Sequence, residues 1–306
     1  MLVIDLDVYG RYARFSAIAD FLELLALGGV PTSEDQLAEH ISDADWAVNE
    51  LFLAEGERRP LARHREDATD QARSVYSTLE ERREVLGNKW PFRFDGSRLV
   101  PTERDPRADP YVALLAITMS HAYDLAGPLA PEVVFEDTVA DVIGGRDLLV
   151  SNFGRVARGA GSFEQALTAA GTQVRLMPTA EAAVRKVHAQ DEKVDTLCHM
   201  WWGDVRPGLW CFIGQATCAK SEEWEHKIKD PAPNAWSKLL NAEPLPLPFL
   251  AVPHHVEGLH LAKLVQDSTS VVLDRLRLVN FKKGVRGDEA IVIDFVLGAE
   301  IEKPWD

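Results

Sequence analysis

A chain of 306 residues with 46% hydrophobic and 26% charged residues has a globular balance and room for one or two domains, which excludes a mainly disordered or collagen-like protein. No apolar run approaches the ~18 residues of a membrane span, and Asp5 and Asp7 stand where a signal peptide would carry basic residues. The net charge is -15, with -9 in the first 128 residues and -6 in the remainder, so neither part attracts polyanions nonspecifically and any nucleic-acid contact is confined to a local patch.

The first part reads as helical. Phe15, Ile18, Ala19, Phe21, Leu22 and Leu25 form the apolar stripe of a helix over Tyr12 to Ala26. Ser33 and Gln36 have the spacing of a capping box that opens a second helix, and Trp46 to Ala54 continues the pattern. Asp67 to Leu86 is a long polar helix with a narrow seam of Val75, Leu79 and Val85, which reads equally as a solvated helix covering the core and as the best candidate in this part for a partner contact. Asn88 to Arg107 turns to Pro, Gly and Asp around an extended piece at Arg98 to Val100, and Tyr111 to Tyr123 is an almost wholly apolar, buried helix. Gly127-Pro128 and Pro131 punctuate the chain, dividing a helical domain, 1–128, from a second domain, 129–306.

The second part mixes helices and strands, which makes the fold class α/β (α+β). Helices are expected over Pro131 to Ile143, Gly159 to Ala170, Ala180 to His188 and Ser221 to Lys229, with an extended piece at Asp147 to Val150. Lys193 to Met200 and Leu209 to Thr217 are strands joined through the loop Gly203 to Gly208. Pro248 to Val252 is a strand, Val271 to Val279 strand or helix, and Ala290 to Leu297 a strongly apolar strand. Cys198, Cys211 and Cys218 are odd in number and lack C-x-x-C spacing, so they read as buried small hydrophobes in a reducing cytoplasm rather than as zinc ligands.

The stretch from Asp195 to Lys227 carries the chemistry. Period-2 alternation puts Cys211, Ile213, Gln215 and Thr217 on one face and Trp210, Phe212 and Ala216 on the other. A hairpin sets Asp195 beside Gln215, where a carboxylate and an amide oxygen suit a hard divalent cation; the same spacing also fits a strand-end Asp and a hydrogen-bonded edge-strand Gln. His254, His255 and His260 lack the spacing of a zinc set and read as surface or loop-end residues, and Asp274, Arg275 and Arg277 read as a structural ion-pair cluster. Trp201-Trp202 reads as core plus hairpin cover, and no phosphate loop, dinucleotide fingerprint or nucleophile elbow is present.

Phe135-Glu136 on a helix, Asp195 on a strand and a following strand ending in Gly214-Gln215 resemble the core of the PD-(D/E)XK restriction-endonuclease superfamily. More narrowly, they resemble nuclease-like proteins of prokaryotic antiphage defence loci. That resemblance also rests on Phe153-Gly154 with Arg158, Ser162 to Leu167, Trp224 with Lys227, Val252-Pro253-His254 and Leu273 to Leu278, spanning Pro131 to Val279. It implies a restriction-endonuclease-like core, with a central mixed sheet flanked by helices, that hydrolyses phosphodiester bonds of DNA with Mg²⁺ or Mn²⁺. Glu136, Asp195 and Gln215 take the metal positions, with Glu164, which reads first as an exposed Glu at a helix start facing the macrodipole, as the runner-up for the helix carboxylate. Thr217 stands where the family usually has its catalytic Lys, so Lys220 and Lys227 are the substitutes expected from neighbouring elements. The resemblance also implies a homodimer. The alternative is a catalytically inactive nuclease-fold scaffold that binds partners of a defence complex through residues 1–128.

Overall fold

The structure, a computed structural model, describes residues 2, 4–5, 7–43, 61–146, 148–184, 193–204, 206 and 208–302. The helical pattern expected over Trp46 to Ala54 lies outside them, as does the part of Ala180 to His188 beyond Val184. No helix among the described residues is long and apolar enough to cross a membrane.

Helices dominate the first part: α1 (Arg14–Leu27), α2 (Glu34–Asp43), α3 (Leu61–Leu86) and α4 (Pro110–Ala122). α1 and α4 lack a polar face because they are buried all round, from Ser16 to Ala26 and from Tyr111 to Ser120. The cap before α2 forms as expected, with the Gln36 N–H donating to Ser33 Oγ (3.3 Å) and the Ser33 N–H to Gln36 Oε1 (3.0 Å). In the seam of α3, Val75 and Leu79 are buried, but Val85 is 49% exposed. Between α3 and α4 lies a hairpin rather than one extended piece: β2 (Phe92–Asp95) and β3 (Arg98–Pro101) turn at Gly96, whose φ of 61° favours glycine, and β3 pairs with the short β1 (Thr32–Ser33).

The second part is built on a five-stranded mixed sheet of order β4-β5-β6-β7-β8. β4 (Leu149–Asn152), β5 (Thr196–Met200) and β6 (Trp210–Ala216) form an antiparallel meander, and β7 (Leu247–Ala251) and β8 (Val271–Leu273) continue in parallel. Around it lie α5 (Pro131–Gly144), α6 (Phe153–Gly159), α7 (Phe163–Val174), α8 (Trp224–Lys227), α9 (Pro233–Leu240), α10 (Gly258–Ser268), α11 (Arg275–Phe281) and α12 (Gly287–Leu297). The protein is thus α/β, with helices first and a sheet core after them. Alternation in β6 produces two buried faces. Cys211 and Ile213 pack with Phe163 and Trp236 on one side, while Phe212 and Ala216 pack against the main core on the other. All three cysteines are buried and free, as their spacing leads one to expect.

Four local expectations need correcting. Ala290 to Leu297 is not a strand but the body of α12, where Glu289, Val292, Ile293 and Val296 recur at helical spacing on the buried side. Its β-branched content imitates a strand, yet the Arg286 N–H donating to Glu289 Oε2 (2.8 Å) and Gly298 at its end mark a helix. Gly159 to Ala170 is split, with α6 ending at Gly159 and Ser162 capping α7 through the Gln165 N–H (3.2 Å). His254 and His255 are buried rather than loop-end residues. Finally, Asp274, Arg275 and Arg277 do not cluster: Asp274 caps α11, Arg277 donates to the Val272 carbonyl (2.6 Å), and Arg275 turns into the core.

The main core runs continuously across Gly127-Pro128 and contains residues from α1, α3, α4, α5, α11 and α12. At its centre is a fully buried ionic network. Arg275 pairs with Asp20 through Nη1 and Nη2 (both 2.6 Å), and Arg82 pairs with Asp20 and Glu23 (both 2.8 Å). The remaining acceptors and donors are also engaged: Tyr9 donates to Asp20 (2.8 Å), Tyr111 and Trp90 to Glu23 (2.7 and 2.9 Å), and Arg275 Nε to the Pro253 carbonyl (2.8 Å). Two carboxylates and two guanidinium groups balance, which is the condition for burying such charges.

Candidate active site

The end of the sheet formed by the last residue of β4, the first of β5 and the last of β6 gathers the chemistry. Register sets Thr196 opposite Gly214, so Asp195, one residue before β5, arrives beside Gln215. Two backbone bonds and one to the side chain fix it there: the Asp195 N–H donates to the Gly214 carbonyl (2.8 Å), the Gly154 N–H donates to the Asp195 carbonyl (3.1 Å), and the Ala216 N–H donates to Asp195 Oδ2 (2.8 Å). The last of these holds the carboxylate in place. Gly214 is required by this packing, because a methyl group there would stand 1.9 Å from the Phe249 ring on β7.

Glu136 reaches the same spot from α5. A methyl group at Gly154, in the first turn of α6, would stand 2.8 Å from Glu136 Oε2 and 3.2 Å from Asp195 Oδ1. The two carboxylates therefore face one another across a gap that only glycine leaves open. Between Gly214 and Ala216, the Gln215 side-chain oxygen Oε1 is buried and has no hydrogen-bond partner. A buried acceptor without a donor calls for a proton donor or a cation.

Cations approach from α6. Arg158 forks onto Glu136, with Nη1 3.0 Å from Oε1 and Nη2 2.7 Å from Oε2. One turn earlier, Arg155 pairs with Asp137, the neighbour of Glu136, and Asn152 Nδ2 donates to the same carboxylate (2.6 Å). Asn152 also caps α6 by accepting from the Arg155 N–H (2.8 Å), so one residue orients both the helix and the acidic pair it faces. Burial, followed by the negative charges of Glu132 and Glu136, holds the Cys218 thiol well above its ordinary range, which removes it as a nucleophile at neutral pH.

Of the residues singled out in the sequence, the structure thus brings Glu136, Asp195 and Gln215 to one end of the sheet. Lys220 and Lys227 are engaged elsewhere: the Lys220 ammonium donates to the Asp7 carbonyl (3.1 Å), and that of Lys227 lies 3.7 Å from Glu223 on its own face of the helical turn. Thr217 is buried, its hydroxyl accepting from the Ala219 N–H (3.1 Å). Glu164 is exposed in the first turn of α7. Arg155 is the residue that the sequence reading misses. Its signal is spacing, since Arg155 and Arg158 are three apart on one helix face and meet the adjacent pair Glu136-Asp137 on another.

Comparison with protein-family models, with curated proteins and with solved structures returns no match. The functional reading therefore rests on this geometry. Among the described residues, no group of three or more His, Cys, Asp and Glu side chains is placed to hold a metal ion. The set at hand is instead two carboxylates and an amide oxygen. Those are hard donors, and a buried Gln215 oxygen without a hydrogen-bond partner makes the set fit Mg²⁺ or Mn²⁺ better than a nitrogen- or sulfur-seeking metal.

Proposed function

We propose that this chain is a metal-dependent DNA endonuclease of the PD-(D/E)XK type, acting in prokaryotic antiphage defence. The observation that carries the reading is the facing pair of Glu136 and Asp195 across Gly154; Gln215, at the same end of the sheet, has a buried side-chain oxygen without a hydrogen-bond partner. The element order supports it: α5 carries the first acid, the antiparallel β4-β5-β6 meander carries the other two ligands, and β7 runs parallel to β6.

In this reading Glu136, Asp195 and Gln215 would hold the ion, two by charge and one as a neutral oxygen donor. Mg²⁺ or Mn²⁺, when bound, supplies Lewis acidity toward the phosphate and lowers the pKa of water. Asp195 is oriented through the Ala216 N–H. Arg158 takes the role that Thr217 cannot fill, presenting N–H donors to the charge that develops on the phosphate oxygens. Before substrate arrives its guanidinium covers Glu136; a phosphate group competes for that fork and releases the carboxylate.

A second reading, a nuclease fold kept as a partner-binding scaffold, is favoured by one observation: Thr217 offers no ammonium, and its hydroxyl is already engaged by Ala219. Supercoiled plasmid incubated with Mg²⁺ or Mn²⁺ separates the two. The expected result is chelator-sensitive nicking that Asp195→Ala reduces by about 100-fold or more while the circular-dichroism melt stays close to wild type. Equal nicking by both proteins rejects the site, and no nicking under any condition leaves the scaffold.

A further inference from the structure

One carboxylate of the candidate cation site already holds a cation of the protein's own. Arg158 sets Nη1 3.0 Å from Glu136 Oε1 and Nη2 2.7 Å from Oε2, so its fork takes up both carboxylate oxygens. A magnesium-sized ion needs one of those oxygens at about 2.1 Å. The guanidinium cannot keep its fork beside such an ion, because two positive centres would then crowd one carboxylate. Metal and Arg158 are therefore alternatives at Glu136.

The surroundings let Arg158 leave while its helix stays. The Arg158 side chain is 45% exposed and that of Glu136 only 11%, so the guanidinium is the partner that an anion from solvent reaches. The seat of α6 is secured by other residues. Phe153 packs edge-on against Phe163 and Trp236 (ring centroids 6.0 and 5.3 Å), Arg155 pairs with Asp137, and Asn152 caps the helix while donating to that same carboxylate. A phosphodiester presents two oxygens to a guanidinium fork much as a carboxylate does, which makes it a direct competitor for Arg158.

We propose that Arg158 is a latch on the cation site: it occupies Glu136 in place of the metal, and an anionic phosphodiester that draws the guanidinium away completes the site for Mg²⁺ or Mn²⁺. Metal and phosphodiester then strengthen one another's binding, and the chain alone holds the ion less tightly than its oxygen ligands allow. The latch presupposes that Glu136, Asp195 and Gln215 hold a cation, and it regulates that same site.

Isothermal titration of the full chain with Mn²⁺ tests it in wild type, Arg158→Gln and Arg155→Gln, with a circular-dichroism melt checking that each variant folds. Arg158→Gln is expected to bind Mn²⁺ about tenfold tighter than wild type. Arg155→Gln removes the same charge one turn earlier but leaves the fork on Glu136, and is expected to change the affinity by less than about threefold. Dimethyl phosphate, the smallest phosphodiester, replaces chloride at about 0.1 M in a second series. It is expected to tighten Mn²⁺ binding about fivefold in wild type and in Arg155→Gln, and to leave Arg158→Gln unchanged. The latch is overturned if Arg158→Gln binds Mn²⁺ no tighter than wild type, if Arg155→Gln gains as much, or if dimethyl phosphate has no effect on wild type or acts equally on Arg158→Gln. In each of those cases Mn²⁺ still binds, and the cation site stands without its latch. Mn²⁺ binding to none of the three proteins overturns the site and the latch together.

Discussion

Replacing Arg275 by methionine is expected to destabilise the fold by about 3–5 kcal/mol, read as a shift in a urea or thermal unfolding transition. The side chain is fully buried and makes two bonds to Asp20, one to the Pro253 carbonyl and one to Thr118 Oγ1 (3.0 Å). Its removal leaves the network with two carboxylates and one guanidinium, an uncompensated charge shielded from solvent. The Arg82 and Arg275 charges are what hold Asp20 well below the usual carboxylate range against burial, so the loss falls directly on that ion. A double substitution, Asp20→Asn with Arg275→Met, restores the balance through Arg82 and Glu23. It is therefore expected to cost clearly less than the sum of the two single changes. Additive losses would contradict the account of a charge-balanced core. The same network explains why the first 128 residues and the sheet share one interior: Asp20 lies on α1, Arg275 at the start of α11.

Stability is also expected to fall between pH 7 and pH 5 through His254. The imidazole is buried between Tyr9 (ring centroids 4.7 Å) and Trp224 (5.4 Å), and burial, reinforced by the Arg275 charge, pushes its pKa down from 6.5 to about 3. Because the folded pKa is lowered, the unfolded chain binds the extra proton across that window, and acid favours unfolding. The contribution is absent above about pH 7, reaches about 2 kcal/mol at pH 5 and about 4 kcal/mol by pH 3. Half-buried His260 acts in the same sense, while buried Glu23 and Asp274, whose pKa values burial raises, act oppositely at lower pH. Comparing wild type with His254→Gln isolates the imidazole. The variant is expected to lose about 2 kcal/mol less than wild type between pH 7 and pH 5, and parallel losses in the two proteins would contradict the assignment.

Much of the site end of the sheet is legible in the sequence because it depends on local pattern. Alternation in 209–217 and the hairpin loop are enough to set Asp195 beside Gln215, and the buried faces of α1 and α4 follow from runs without a polar stripe. What escapes are the features set by distant partners. Nothing near Arg275 in the chain reveals that Asp20, 255 positions away, is its counter-ion. The strand-like run in α12 is decided by packing on α4 and by a cap at Arg286, not by its β-branched content. Gly154 illustrates the limit best. Its role is the space it leaves between two carboxylates that come from α5 and from the start of β5, and only the assembled sheet shows that space.

The claim on which the catalytic reading depends is that Glu136, Asp195 and Gln215 form one cation site. Titration of the chain with Mn²⁺, followed by calorimetry in wild type, Asp195→Ala and Gln215→Leu, addresses it without requiring a substrate. A single Mn²⁺ site in wild type that weakens by about tenfold or more in each variant is the result this account expects. Absence of binding in wild type, or equal binding in all three proteins, would contradict it.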